Sequence, residues 1–323
     1  MGSEQTTGSV FRSSALISRA DGHAVCCHIK GETDYEKQKK TKAIYLMLVS
    51  SLSFSIMQVF VKLSSEEVGT FEQTFFRNLV SLIIAAVMVR RENLQVFQEI
   101  KRGGWALWGR SFFGFLGIVL FFYAAGHARQ ADVAMLNRAS PVFVTLLAGI
   151  FLKEKITPVK IASTILCLVG AYIAMQPSFD SNPFPLLAAL LAAVVSGMAY
   201  TMLSYCKNFT HPSAIIFHFS ALSTVCAGLM MLPNLVIPSP KVFVMLLLIG
   251  VFAAGGQFFL TYAYQQAPAS EVSIYQYSGV VFTAVFSYAF LGETLSKSSI
   301  IGGIVILGAI FWVFENTRKE KNT

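Results

Sequence analysis

From Ala43 to Asn316 the chain repeats one polarity motif, an apolar run followed by a short polar connection. An α-helix rises 1.5 Å per residue, so about 20 apolar residues cross a hydrocarbon core of ~30 Å. Ten runs meet that length and predict spans over 43–62, 72–90, 104–125, 131–152, 158–176, 184–206, 213–232, 241–264, 270–291 and 297–316. Every peptide group inside a bilayer needs an internal partner, which makes helices obligatory for such runs. Before Ala43 the pattern changes. Residues 1–42 are polar, rich in Ser, Thr, Gly and charge, and read as a disordered cytoplasmic tail. Ala15-Leu16-Ile17 is too short for the apolar core of a signal peptide. Cys26-Cys27-His28 lacks nearby ligands and reads as tail sequence rather than an acylation or metal site. Residues 317–323 form a second, short cytoplasmic tail.

Composition agrees with the pattern. Hydrophobic residues make up 54% and charged residues 13%, with a mean hydropathy of +0.60. A soluble domain carries roughly 25% charged residues. The expected fold class is therefore an all-α integral membrane protein of ten transmembrane helices. The net charge of +8 does not point to nucleic acid, because Lys and Arg gather in the connections. With a cytoplasmic N-terminus, fifteen of them fall on the inner side against Lys62, Arg129, Lys241 and Lys297 outside. That bias places both termini in the cytoplasm, with the plasma membrane as the expected host. The Asn208-Phe209-Thr210 sequon then lies on the inner side and stays unglycosylated. Cys167, Cys206 and Cys226 sit in apolar spans as small hydrophobes. Neither a disulfide framework nor a zinc spacing is present, and no cofactor or metal is expected.

The two halves of the chain resemble each other. Shifted by 139 positions, Tyr123 falls on Tyr262, Asp132 on Glu271, Phe151-Leu152 on Phe290-Leu291, and Glu154 on Glu293. Earlier spans align at a shift of 141, which sets Ser55 on Ser196 and Phe76-Arg77 on Phe217-His218. Two five-span repeats follow, 43–176 and 184–316. Five is odd, so the second copy enters the membrane upside down, an architecture that recurs in secondary transporters. Phe290-Leu291-Gly292-Glu293-Thr294-Leu295, followed by Ile301-Gly302-Gly303-Ile304-Val305-Ile306-Leu307-Gly308, resembles the closing signature of the drug/metabolite transporter superfamily, EamA type. Phe151-Leu152-Lys153-Glu154-Lys155 is a weaker copy, and Phe75-Phe76-Arg77-Asn78-Leu79 resembles the arginine-bearing motif of that family's second helix. The resemblance implies ten helices, a central substrate cavity and alternating access, often for export. The first half departs from the pattern, with Ala162, Ser163 and Thr164 opposite Ile301, Gly302 and Gly303.

Charge inside the membrane marks the candidate chemistry. Arg77, Arg110 and Arg138 lie within spans, and no Asp or Glu lies comparably deep. Each costs about 2.5–3.5 kcal/mol at a helix centre on the insertion scale, so each must snorkel, bond carbonyls or line water. Arg110 is near an inner helix end and is expected to snorkel. Arg138, beside Asn137 and just before Pro141, has Tyr277 as its repeat mate, as Asn137 has Gln276. A two-fold axis would bring these four together near the midplane, where repeat-built transporters bind substrate. Arg77 is a candidate positive charge at the outer mouth, and its mate His218 is the one deep group able to titrate near neutral pH. A packed core histidine and a proton-coupling residue both suit that position. Tyr123, Tyr262 and Tyr200 are candidate aromatic walls, with Tyr264, Tyr275, Tyr277 and Tyr288 on the same second-half spans. Gln58 and Gln257 are further polar candidates.

Fixed cations without deep carboxylates favour a small metabolite bearing carboxylate or phosphate, amino-acid- or nucleotide-like. Export, exchange or facilitated diffusion is the expected mode. Metabolite and membrane lipids are the expected partners, a homodimer stays open, and nucleic acid is excluded. A channel or lipid scramblase of the same fold is the rival reading. An enzyme is not expected: the histidines are scattered, Ser196-Gly197 alone makes no nucleophile site, and no phosphate-cradling glycine loop is present.

Overall fold

The computed structural model describes residues 38–128, 130–177, 183–292 and 296–319. Among these every regular element is helical, and ten helices are long and apolar enough to cross a membrane. They are α1 (Gln38–Ser64), α2 (Thr70–Arg91), α3 (Val96–Ala125), α4 (Asp132–Phe151), α5 (Pro158–Met175), α6 (Pro183–Asn208), α7 (Pro212–Asn234), α8 (Pro240–Gln266), α9 (Ala269–Leu291) and α10 (Lys297–Asn316). The apolar periodicity located all ten, with one sizeable correction in α3. A helical segment from Val96 precedes the expected start at 104, and the two segments meet in a kink at Gly104, whose backbone is not helical. Gly104 has φ 48°, a left-handed conformation that costs glycine nothing. The calls on Cys26, Cys27, His28, Arg129 and Glu293 fall outside the described residues.

Local chemistry sets the helix ends. Prolines occupy the first turns of α5, α7 and α8, where a missing N–H costs nothing. Thr157, His211 and Ser239 cap those three helices by accepting from backbone amides. Away from the core the helices stay apolar, with Ile83, Val87, Ile150, Val225, Leu229 and Ile304 exposed. Such a surface suits lipid and would be a large apolar liability in water. The protein is an integral, multi-pass membrane protein.

The principal pairings are α3 with α6, α2 with α7 and α8, α5 with α10, and α4 with α6. Small residues let backbones approach at these crossings. A Cβ on Gly117 of α3 would meet Ser196 Oγ of α6 at 2.9 Å. A Cβ on Gly256 of α8 would meet the Phe54 ring of α1 at 2.9 Å, and Ser50 Oγ donates to Gly256 O at 2.7 Å.

The face carrying the α2–α3, α4–α5, α6–α7 and α8–α9 connections is the near face, and the opposite one is the far face. Buried side chains are organised differently on the two. Toward the near face one contiguous core draws on α1 (Met47), α3 (Leu107), α4 (Ala148), α6 (Leu203, Cys206), α7 (Ile215), α8 (Leu260, Tyr264) and α9 (Val272). In the far half one cluster holds Met57, Leu246 and Ile249 from α1 and α8, and another holds Ala124, Val133 and Ala189 from α3, α4 and α6. A further cluster, with Met135, Cys167, Tyr277 and Ile306 from α4, α5, α9 and α10, runs through the middle.

Candidate functional site

Two of the ten helices are interrupted. α4 breaks between segments Gln130–Asn137 and Ser140–Phe151. Pro141 explains it, since proline supplies no N–H to the carbonyl four residues back and its ring clashes there. Arg138 N instead shares the Ala134 and Met135 carbonyls at 3.1 and 3.0 Å. α9 starts as the short turn Ala269–Val272, tightens to a 3-10 helix over Ser273–Tyr277, and continues as Ser278–Leu291. The interruptions fall at Arg138 and Tyr277, the two positions that the shift of 139 superposes. Irregular backbone at membrane depth is tolerated where it lines a cavity, and broken helices are the best pointer to a transporter's binding site.

Three arginines face that region. Arg138 Nη1 lies 3.5 Å from where a Gly279 Cβ would stand, beside Ser55, which donates to Gly279 O at 3.2 Å and meets Thr283 Oγ1 at 3.1 Å. The Arg77 guanidinium sits 5.9 Å from the centre of the Phe54 ring. Arg110 packs 4.4 Å over Phe219 and 5.9 Å over Tyr200. All three guanidiniums lie within electrostatic reach of Tyr200. None makes a hydrogen bond or ion pair among the described residues. Arg77 and Arg138 are enclosed by protein yet keep accessible surface, as residues do on the wall of a hollow. Arg110 is only 2% exposed.

Tyr200 stacks on Tyr264 with centroids 5.4 Å apart, and Gln276 Nε2 donates to Tyr264 Oη at 2.6 Å. The structure therefore gathers Arg138, Arg77, Tyr200, Gln276 and the buried Tyr277, whose hydroxyl has no partner. Asn137 is half-buried in the turn just before the break. Other candidates lie elsewhere. Tyr123 is 49% exposed at the far end of α3 and stacks on His127. Gln58 is exposed, and Gln257 bonds within its own helix to Thr261 at 3.4 Å. Tyr262 sits beside Ser213 and Glu92 near the near face. His218 is a packed core side chain, sharing a 2.7 Å hydrogen bond with Ser111 Oγ and meeting Trp108 edge to face at 4.5 Å.

Arg110 requires a correction, because it does not snorkel. Its side chain runs the other way, one turn deeper, beside Gly114 and over the Phe219 ring, and it is 2% exposed. Tyr264 joins the site from the aromatic series, and Phe219, Ser55 and Thr283 join it unannounced. Only their contacts with distant segments could reveal this, and apolar periodicity carries no such signal.

Below the site, polar groups tie the near face across the two halves of the chain. Glu154, after α4, accepts from Ala269 N, Ser270 N and Ser270 Oγ at 2.8, 3.0 and 2.7 Å. A carboxylate at a helix N-terminus meets unsatisfied N–H groups and the positive end of the dipole. Lys160 Nζ pairs with Glu271 at 3.2 Å and donates to Lys155 O at 3.2 Å. Among the described residues no group of three His, Cys, Asp or Glu side chains could hold a metal ion.

The model of the EamA-like transporter family matches this chain twice, over residues 41–176 and 183–315. The pseudopaline exporter CntI of Pseudomonas aeruginosa is 30% identical over 82% of this chain and 93% of its own length. A riboflavin transporter of Brucella anthropi is 26% identical over 77% of this chain and 89% of its own. A solved crystal structure superposes with a TM-score of 0.76 at 14% identity, over 86% of this chain and 98% of that one, which establishes likeness of fold.

Proposed function

Since this chain belongs to the EamA-like transporter family, we propose that it is a secondary carrier moving a small organic metabolite with a carboxylate or phosphate group. The observation that carries this reading is the set of three guanidiniums at membrane depth, Arg77 by Phe54, Arg110 over Phe219 and Tyr200, and Arg138 by Gly279, without one carboxylate partner among the described residues. In a hollow of low dielectric, an anion supplies the charge and the acceptors that three unpartnered forks lack. Arg138, Tyr277 and Gln276 at the paired helix breaks hold the anionic end, and Tyr200 offers a flat π face. The names of the relatives, a pseudopaline exporter and a riboflavin transporter, support a metabolite as cargo.

Alternating access follows from inverted copies, 43–176 and 184–316. The double family match supports this reading, and so does the packing. Under the repeat register α3 on α6 maps to α8 on α1: Gly117 meets Ser196, and its mate Gly256 meets Phe54, next to Ser196's mate Ser55. The α5–α10 and α2–α7 pairs map onto themselves. The charge bias of the connections supports a cytoplasmic near face and cytoplasmic termini, and the plasma membrane is the host this reading expects. With the near-face core intact, the conformation is then closed inward.

Purified protein in proteoliposomes tests the proposal by counterflow against a panel of anionic, zwitterionic and cationic metabolites. Saturable counterflow of anionic or zwitterionic members, abolished by Arg138→Ala, is expected. Non-saturable flux, or an Arg138→Ala protein that moves every member as before, overturns it.

A further inference from the structure

We propose that Arg110 is a second anion site on the transport path, covered in this conformation and bared when the near face opens, for the same carboxylate- or phosphate-bearing class of substrate. The inference rests on the carrier reading above.

Arg110 is 2% exposed, and its Nε has no hydrogen-bond partner. Neither does the rest of its fork among the described residues. A guanidinium has five donors, and the π faces of Phe219 and Tyr200 replace them poorly. A cation kept only for structure takes carbonyls, as Lys160 does at Lys155 O. Arg110 takes none. It belongs to a series: Arg77 and Arg138 lie about 9–10 Å along α2 and α4 from the far face, while Arg110 occupies the near half of α3. Tyr200 is in reach of all three, and Arg110 feels the charge of Arg77. An anion passing inward relieves that repulsion and finds its next partner as it leaves the last.

The cover over Arg110 is the near-face core, including Leu107, Leu203, Cys206 and Tyr264. That core joins seven helices, so an opening of the near face must part it. Cys206 lies within electrostatic reach of Arg110 and is a native reporter there.

The test uses the full chain with Cys26, Cys27, Cys167 and Cys226 changed to Ala. It is run in inside-out vesicles, both with Glu154 intact and with Glu154→Gln, which loosens the near-face tie. Cys206 is labelled from the near side with an anionic methanethiosulfonate (ethylsulfonate) and a cationic one (ethyltrimethylammonium), each rate divided by that of a free thiol. The expected result is a preference for the anion of at least about tenfold. Arg110→Lys retains the preference, and Arg110→Gln removes it. A ratio near one with Arg110 present, a ratio unchanged by Arg110→Gln, or no labelling from the near side in either background overturns the proposal. Counterflow by Arg138→Ala is read separately. Intact counterflow there with an anion-preferring Cys206 sinks the far-half site alone, and lost counterflow with a neutral Cys206 sinks Arg110 alone.

Discussion

Three guanidiniums at membrane depth cost roughly 7–10 kcal/mol on the insertion scale, as much as the whole stability of many domains. Here their visible neighbours are Phe54, Phe219, Tyr200 and the backbone beside Gly279. Recognition by Arg138 should depend on its planar fork as well as its charge. Arg138→Lys is expected to raise the half-saturating concentration of an anionic metabolite about 10-fold, and Arg138→Ala about 100-fold, in counterflow. Equal values for the two variants would leave charge alone as the determinant. His218 behaves differently. Its ring is satisfied by Ser111 and packed on Trp108, so Ser111→Ala should destabilise the protein by about 1–3 kcal/mol. Thermal unfolding in detergent reads this, while His218→Gln should leave the pH dependence of transport unchanged. The sequence exposed all three arginines by their depth. It misplaced Arg110, because snorkelling is judged from the distance to a helix end, whereas the side chain runs inward beside Gly114 and over Phe219, which only the folded helices show.

At the level of helices, the break in α4 has a chemical cause that can be removed. Pro141→Ala restores an N–H for the Asn137 carbonyl and heals the helix. Transport is expected to fall at least about tenfold through misplacement of Arg138, with thermal stability equal or higher. Wild-type transport in this variant would mean that the break does not position the site. The α5–α10 crossing offers a second test. A Cβ on Gly302 would overlap the Gly170 carbonyl and stand 2.6 Å from Ala174 N, whereas one on Gly308 meets nothing within 4 Å. Gly302→Ala should therefore cost about 1–3 kcal/mol and Gly308→Ala almost nothing, by the same melting assay. Lengths and polarity made the ten helices legible. The α9 interruption was not, because Ser273–Tyr277 contains neither proline nor glycine, and its tightening is visible only beside its mate in α4.

Across the whole molecule, both faces are tied between the two halves of the chain, but their buried cores differ. One contiguous core and the Glu154 and Lys160–Glu271 ties hold the near face, while at the far face Glu72 accepts from Val236 N, Glu67 from Ser239, and the buried residues fall in separate clusters. Internal likeness in the sequence revealed a duplicated unit, and Glu154 stood out in it. What Glu154 grips, the first turn of α9, depended on the folded chain. Charge-assisted hydrogen bonds of this kind contribute about 1.5–3 kcal/mol. Glu154→Gln should accordingly speed near-side labelling of Cys206 about 10- to 100-fold, a shift lost if the tie is incidental. The near-face core also carries a pharmacological corollary. A membrane-impermeant dianion confined to the near side should act on Arg110 only at the pace at which the carrier turns over, because the core above that guanidinium must part first.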